Sequence, residues 1–288
     1  MIPLVRLLAA VAVLLLSAPA LAEPALWTIK NAHTTIYLFG TLHMLPADTD
    51  WRYRALESAL EASGSLTIEL TDSDPTSMQE LVREHGLDPT HPLSGKLTPA
   101  ERTALATAAA AVEIPGGAES LDIMRPWLAA LTLAGAPLKQ GGLDAEHGVD
   151  KLLQAQMTEA GKPVNGLETA AQQIGFLANL PAPLQLDFLR STLHDVDQDN
   201  AQFAALIVAW KAGDTDAIAR LENDEIRKAS PGLYKTLLVD RNKAWATKIA
   251  AMLQQPGTVF IAVGAAHLAG PDSVQAQLQQ LGINTARN

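Results

Sequence analysis

The chain has 288 residues, 48% hydrophobic and 18% charged, with no cysteine and a formal net charge of −10. This is a globular, aromatic-poor composition that excludes disulfides and thiolate chemistry. An acidic balance without any basic run argues against nucleic acid and anionic lipid as partners.

Residues 1–22 are expected to be an export address rather than structure. Arg6 is their one charged side chain, residues 7–16 are an unbroken apolar run, and Ala20-Leu21-Ala22 is a small-x-small pattern placing a cut near Glu23. The run is short for a membrane span. The expected destination is therefore the periplasm, with no stable membrane anchor after cleavage; an uncleaved anchor is the competing reading.

Residues 23–288 read as one domain. Strands at 26–30 and 35–39 flank a polar turn and predict a hairpin. A helix over 51–62 sets Tyr53, Leu56 and Leu60 on one face, and 66–70 is a buried-type strand carrying Glu69. From about 76 to 253 the pattern is mostly helical. Thr98 heads a helix with Glu101 three residues on, a capping box. Further helices are expected at 126–134, 144–160, 170–180, 184–193, 200–212, 214–228 and 233–253, with one strand at 163–167. Gly and Pro residues around 115–117, 135–142 and 181–183 punctuate them. A strand at 258–263, a helix at 272–281 and a closing strand at 282–286 end the chain. The fold class is α/β with α+β-like segregation. A mixed central sheet is built from N- and C-terminal strands and covered by a large helical insertion, roughly 76–253.

Chemistry concentrates at three strand ends. Gly40-Thr41-Leu42-His43 and Gly264-Ala265-Ala266-His267 each follow an apolar strand, and Glu69 ends a third. If those strands are parallel neighbours, all three side chains gather on the carboxyl rim, where α/β sheets bind ligands. Gly40 and Gly264 supply the sharp or left-handed backbone such a handover needs, and leave room for a ligand. Two imidazoles and a carboxylate suit two chemistries. They can hold a divalent metal with positions open to water and substrate. They can also work without one, a His acting as general base oriented by the carboxylate while the other stabilises developing charge. A structural histidine bonded to backbone is the bland alternative for either motif alone. His147, with Glu146 and Asp150 nearby, is a further candidate ligand, although a solvated helix face explains it more simply. No nucleophile elbow, P-loop, His-Glu-x-x-His helix or EF-hand loop is present.

Longer segments carry a family signal. They are Leu26-Trp27-Thr28-Ile29, Ile36-Tyr37-Leu38-Phe39 running into the first Gly-x-x-His, and Leu66-Thr67-Ile68-Glu69-Leu70. Gly142-Leu143-Asp144, Lys162-Pro163-Val164-Asn165-Gly166-Leu167-Glu168-Thr169 with Gln172, and Arg241-Asn242 follow, then Val259 through Leu268 with Gly270 behind it. Together these resemble the TraB/GumN family, which includes pheromone-shutdown proteins, proteins of bacterial polysaccharide clusters and the animal Tiki proteases. The resemblance covers nearly all of 23–288. It implies a metal-dependent protease centre in which His43, His267 and Glu69 are catalytic and hold a divalent ion (Mn, Co or Zn). The family is similar in fold to erythromycin esterases and to a haem-binding group, which makes haem the alternative cofactor.

The resemblance also singles out Arg241, Asn242, Glu168 and Asp144. Arg241 suits clamping of a substrate carboxylate or oxyanion, or equally a structural pair with Glu69 or Glu168. Glu168 reads as a second acid or as a cap for the helix near Ala170. Asp144 reads as an N-cap. The implied function is an exported hydrolase of peptide or amide bonds, with a small-molecule or peptide substrate. Two competing classes remain: a non-catalytic ligand- or haem-binding accessory protein of envelope or polysaccharide processes, and a bare interaction partner. The sequence leaves the oligomeric state open.

Overall fold

Asn31 closes the expected hairpin by accepting the N–H groups of His33 and Thr34 on its side-chain oxygen, a local Asx turn. In the computed structural model, which describes residues 23–71, 74–195 and 199–288, this hairpin joins β1 (Leu26–Lys30) to β2 (Thr34–Thr41). The expected export address at 1–22 lies outside the described residues.

The remaining strands are β3 (Ser65–Leu70), β4 (Val164–Glu168), β5 (Gly257–Gly264) and the two-residue β6 (Ala286–Arg287). They form one mixed sheet in the order β4-β3-β5-β2-β1-β6. The first four in that order run parallel, and β1 is antiparallel to both its neighbours. The α-helices in chain order are α1 (Arg54–Ala62), α2 (Pro75–Gly86), α3 (Pro99–Ala111), α4 (Gly117–Leu121), α5 (Pro126–Gln140), α6 (Val149–Glu159) and α7 (Ala170–Ala178). They continue with α8 (Ala182–Asp195), α9 (Asp199–Lys211), α10 (Thr215–Ile218), α11 (Asp224–Ala229), α12 (Pro231–Tyr234), α13 (Asp240–Met252) and α14 (Val274–Gln280).

The connections from β2 to β3 and from β3 to β4 step one way across the sheet, and the connection from β4 to β5 steps back. Right-handed crossovers then place their helices on opposite faces, as the two cores show. On one face Phe39, Leu66, Ile68, Phe260 and Ala262 pack against α1, α6 and α9 through Leu56, Leu60, Val149, Leu153 and Trp210. On the other Ile36, Leu38, Ile261 and Val263 pack against Trp245 and Ile249 of α13 and Val274 and Leu278 of α14. Strand alternation sorts successive residues between these layers. A third core, made only of helices, joins α3, α4, α5 and α8 through Leu105, Leu121, Leu133 and Leu189.

Five expected elements differ. The helix expected at 144–160 is a 3₁₀ turn (Ala145–His147) and then α6, broken at Gly148. A Cβ on Gly148 would lie 2.4 Å from the His43 carbonyl oxygen, so only glycine permits the contact. The helices expected at 214–228 and 233–253 each contain a π-helical turn, Ala219–Asn223 and Lys235–Val239. Their wider hydrogen bonding leaves no trace in a 3.6-residue pattern. Punctuation expected at 135–142 fails for Gly135 and Pro137, which lie inside α5, carried by Trp127, Ala130 and Leu133. The closing strand expected at 282–286 shrinks to β6, since Gly282 at φ +76 ends α14 with a turn.

Candidate active site at the carboxyl edge of the sheet

Because β2, β5 and β3 are parallel neighbours, Gly-x-x-His, Gly-x-x-His and Glu69 leave the sheet at one edge. Thr41 is in register with Gly264. The two glycines serve close approach, and neither has a positive φ, so the expected left-handed backbone is replaced by a steric reason. A Cβ on Gly40 would sit 3.1 Å from the Ala265 Cα. One on Gly264 would sit 3.2 Å from Glu69 Oε1 and 3.4 Å from His43 Nε2, in the middle of the cluster. Glu69 Oε1 lies 3.9 Å from His43 Nε2 and 4.0 Å from His267 Nε2.

The loops are held from outside the sheet. Trp210 donates its indole N–H to Gly40 O at 2.8 Å, and the Val149 N–H of α6 meets Leu42 O at 2.9 Å. Asn223, in the first π-turn, donates to Ala266 O and Ala269 O, both at 2.9 Å.

Arg241 of α13 ties the acids together. Its Nε and Nη2 donate to Glu168, Nη2 also to Glu69 Oε2 at 2.7 Å, and Nη1 to Leu237 O and His267 Nε2. All its N–H groups are thereby directed at the protein, with Trp245 under the guanidinium at 4.7 Å. Glu168 also accepts from the Trp245 indole at 2.8 Å and from Gln173. The helix near Ala170 takes its cap from Thr169 in a capping box with Gln172. Side-chain exposures of 11%, 12% and 5% for Arg241, Glu69 and Glu168 make this a largely dry ion cluster. Such a group is costly to break, because any one removal strands the others' charge.

The two histidines differ. His267 is buried, its ring 4.3 Å from that of Trp245 and tilted 42° to it, with Nδ1 against Asn242 Oδ1 at 2.5 Å. Asn242 is fixed in turn by donating to Asp272 O. Nδ1 therefore carries the proton, and Nε2 is the acceptor facing Arg241. Burial first, then the positive charge of Arg241 and of His43, outweigh the pull of Glu69 and push the His267 pKa down to about 3. The His43 ring is 59% exposed, with Nδ1 against Asp150 Oδ1 at 3.1 Å. Loss of water contact works against its charge. The Asp150 hydrogen bond and the charges of Glu69, Asp150 and Glu222 outweigh that and raise its pKa to about 9. Burial likewise opposes the charge on Glu69, but His267, His43, Arg241 and the Gly264 N–H, 2.7 Å from Oε1, hold its pKa down at about 2.

Thus the structure brings His43, Glu69, His267, Arg241, Asn242, Glu168 and both glycines into one cluster. Asp144 stands apart, capping the 3₁₀ turn through the Glu146 N–H and bridging to Leu45. Among the described residues, no hydrogen bond or ion pair joins His147, in that turn, to this cluster. Three residues were missed. Asp150, in the first turn of α6, orients His43. Glu222, in the first π-turn, lies within electrostatic reach of His43, and burial raises its pKa. Asn223 beside it anchors the second loop. Only Asp150 had a sequence signal, in Gly148-Val149-Asp150, a glycine break followed by a first-turn acid.

The TraB/PrgY/gumN family matches residues 25–287. The chain belongs to that family. It is also 33% identical over 156 residues to "Uncharacterized protein YbaP" of Escherichia coli (strain K12) and of Shigella flexneri. The aligned stretch is 53% of this chain and 56% of each relative, so the chain spans little more than half the length of the curated relatives it matches. No solved structure matches.

Family membership raises the divalent metal, and the donors as arranged do not fit one. Nε2 of His267 already accepts from a guanidinium at 3.2 Å, and both oxygens of Glu69 already accept N–H groups. A cation would have to displace Arg241 from the ring it joins. Among the described residues no group of three His, Asp or Glu side chains is set to hold a metal ion.

Proposed function

We propose that this TraB/PrgY/gumN protein is an exported hydrolase whose reaction centre is the space between His43, Glu69 and Glu222. The observation that carries this reading is the setting of His43. Its ring is open to solvent, oriented by Asp150 at 3.1 Å through Nδ1, and turned with Nε2 towards Glu69. Oriented imidazoles beside carboxylates are the usual apparatus of proton transfer to and from a reacting group.

The roles follow from how the surroundings separate the acids and bases. With its pKa raised to about 9, His43 is an imidazolium at neutral pH and serves as the general acid. Glu222, raised by burial and near His43, serves as the base. It takes a proton from water as the water oxygen bonds to the acyl carbon. His43 gives its Nε2 proton to the leaving amine as the carbon–nitrogen bond breaks. Glu69, held ionised, balances the imidazolium, while His267, Arg241, Asn242 and Glu168 form the frame. Peptide or amide bonds are the substrate class, following the family resemblance. Export rests on Arg6, the apolar run and Ala20-Leu21-Ala22.

The test is hydrolysis of a mixed peptide and peptide-amide library by chelator-treated wild type and by His43→Ala. Turnover in the wild type, lost by roughly 100-fold or more in the variant, is expected of a general acid. A folded wild type that cleaves nothing defeats the proposal. Stoichiometric uptake of Mn, Co or Zn, lost in both His43→Ala and His267→Ala, would replace this mechanism with a metal-based one.

A further inference from the structure

Glu222 is held on both sides by bonds that a helix does not supply. Before it, Leu221 O accepts the exposed Gln202 side-chain amide of α9 at 2.6 Å. After it, Asn223 is 2% exposed and gives its side-chain N–H groups to Ala266 O and Ala269 O, the carbonyls on either side of His267-Leu268. The π-turn Ala219–Asn223 also lies against Gly270, where a Cβ would sit 3.3 Å from the Ala219 Cβ and 3.6 Å from Asn223 Nδ2. The first and last residues of the turn are thus seated on the glycine that follows the second Gly-x-x-His loop.

The seat is kept at a cost to the fold. Asn223 Oδ1 is buried without a hydrogen-bond donor among the described residues, and an orphaned acceptor of that kind is destabilising. The π-turn is a second irregularity, of a rare kind that gathers at functional sites. Both fall beside Glu222. α10, the π-turn and α11 are short segments with no strand among them, so the place of Glu222 depends on its tethers. A group that moves a proton in a reaction must be placed to within about 0.5 Å.

We propose that Asn223 is a positioning residue for Glu222, and that the second Gly-x-x-His loop is the platform it uses. Its amide ties the π-turn to the backbone around His267 and so sets the Glu222 carboxylate towards His43. Gln202 is the weaker second tether. The inference rests on Glu222 being the base of the hydrolytic centre, so one of its two tests needs no turnover.

The first test is a double-mutant cycle in the full chain between Asn223→Ala and Glu222→Gln, read as kcat and KM on a peptide or amide that the wild type cleaves. Asn223→Ala is expected to lower kcat about 100-fold, the effect of displacing a reacting group by about 1 Å, and to leave KM nearly unchanged. In the Glu222→Gln background it is expected to lower kcat no further, because no base is left to misplace. Gln202→Ala, an exposed change, is expected to lower kcat about fivefold, the effect of one ordinary hydrogen bond. It keeps the test decisive if Asn223→Ala does not fold. Losses that multiply in the double variant, or an unchanged kcat in the folded single variants, would overturn the positioning role. The second test is a ¹³C NMR titration of the Glu222 carboxyl, assigned by Glu222→Gln. Its midpoint lies above 4.5 in the wild type and is expected to fall towards 4.5 in Asn223→Ala, or in Gln202→Ala, as the loosened turn admits water, with Glu69 unmoved. That shift in a protein that hydrolyses nothing would overturn the hydrolase and leave the tether standing. The same midpoint in the wild type and in every folded variant would overturn the tether, whatever is hydrolysed.

Discussion

The two Gly-x-x-His loops leave neighbouring strands of one sheet, in register, and set their imidazoles at nearly equal distances from one carboxylate oxygen, 3.9 and 4.0 Å. Yet one ring is 59% exposed and charged at neutral pH, while the other is 6% exposed and neutral. The motif itself does not set the role. What sets it is the partner at Nδ1 and the company at Nε2. Asp150, Glu69 and Glu222 favour the charged form of His43, whereas burial against Trp245, with Asn242 at Nδ1 and Arg241 at Nε2, keeps His267 neutral. A carboxylate at Nδ1 stabilises an imidazolium, and an amide oxygen there only selects a tautomer.

The contrast breaks most severely at Arg241. Arg241→Met leaves Glu69 and Glu168 facing each other without their counter-charge, and should cost about 3–5 kcal/mol of stability in urea unfolding. It also frees Nε2 of His267, so the ring's pKa should climb from about 3 towards that of an ordinary histidine. A stability loss below about 1 kcal/mol would show that the cluster is solvated rather than dry.

A smaller effect is expected at His267, and its sign is set by linkage. The folded ring has its pKa at about 3, against 6.5 when free, so the fold favours the neutral form. That contribution is complete above pH 6.5 and is lost as pH falls towards 3. Glu69, depressed from 4.5 to about 2, adds a loss in the same direction lower down. His267→Gln should therefore be less stable than wild type at pH 7, with a flatter decline between pH 6.5 and 4.5, read from urea midpoints across that range. Parallel pH profiles for the two proteins would contradict the buried neutral ring.

The smallest change in stability, and the most selective, belongs to Asp150→Asn. It replaces the carboxylate at Nδ1 with an amide, as at His267. The His43 pKa should drop from about 9 towards 6.5, while His267 is unaffected. Because His43 is raised in the fold, its contribution is present below pH 6.5 and fades as pH rises through about 9. The alkaline limb of the hydrolysis profile should move down with it. Its staying in place would assign that limb to another group.

The side of the contrast that was legible was the part written in strand patterns. Apolar runs ending in Gly40, Glu69 and Gly264 put His43, Glu69 and His267 at strand ends, and parallel pairing did the rest. The pairing of Arg241 with Glu69 and Glu168 was one of the two readings the sequence offered for that arginine. The ring partners were not legible, because Asp150 comes from 107 residues beyond His43, and Asn242 and Arg241 come from another element 25 and 26 residues before His267. Asp150 lay inside what reads as one helix over 144–160, with Gly148 as its only mark. That the His43 carbonyl packs against Gly148, where the helix breaks, is a tertiary fact. Glu222 and Asn223 were hidden by a π-turn, whose extra residue shifts the face a side chain occupies. Where local pattern decides the structure the sequence reads well, as in the capping boxes at Thr98 and Thr169.

One measurement separates the two rings directly: a ¹⁵N NMR titration of chelator-treated protein, with the histidine resonances assigned by His43→Ala and His267→Gln. His43 is expected to titrate with a midpoint near 9 and to stay protonated on both nitrogens at pH 7. His267 is expected to remain the Nδ1–H tautomer down to about pH 4, since its own midpoint lies at about 3. Two rings titrating together near 6.5, or a charged His267 at neutral pH, would contradict the division of one motif into a working histidine and a framing one.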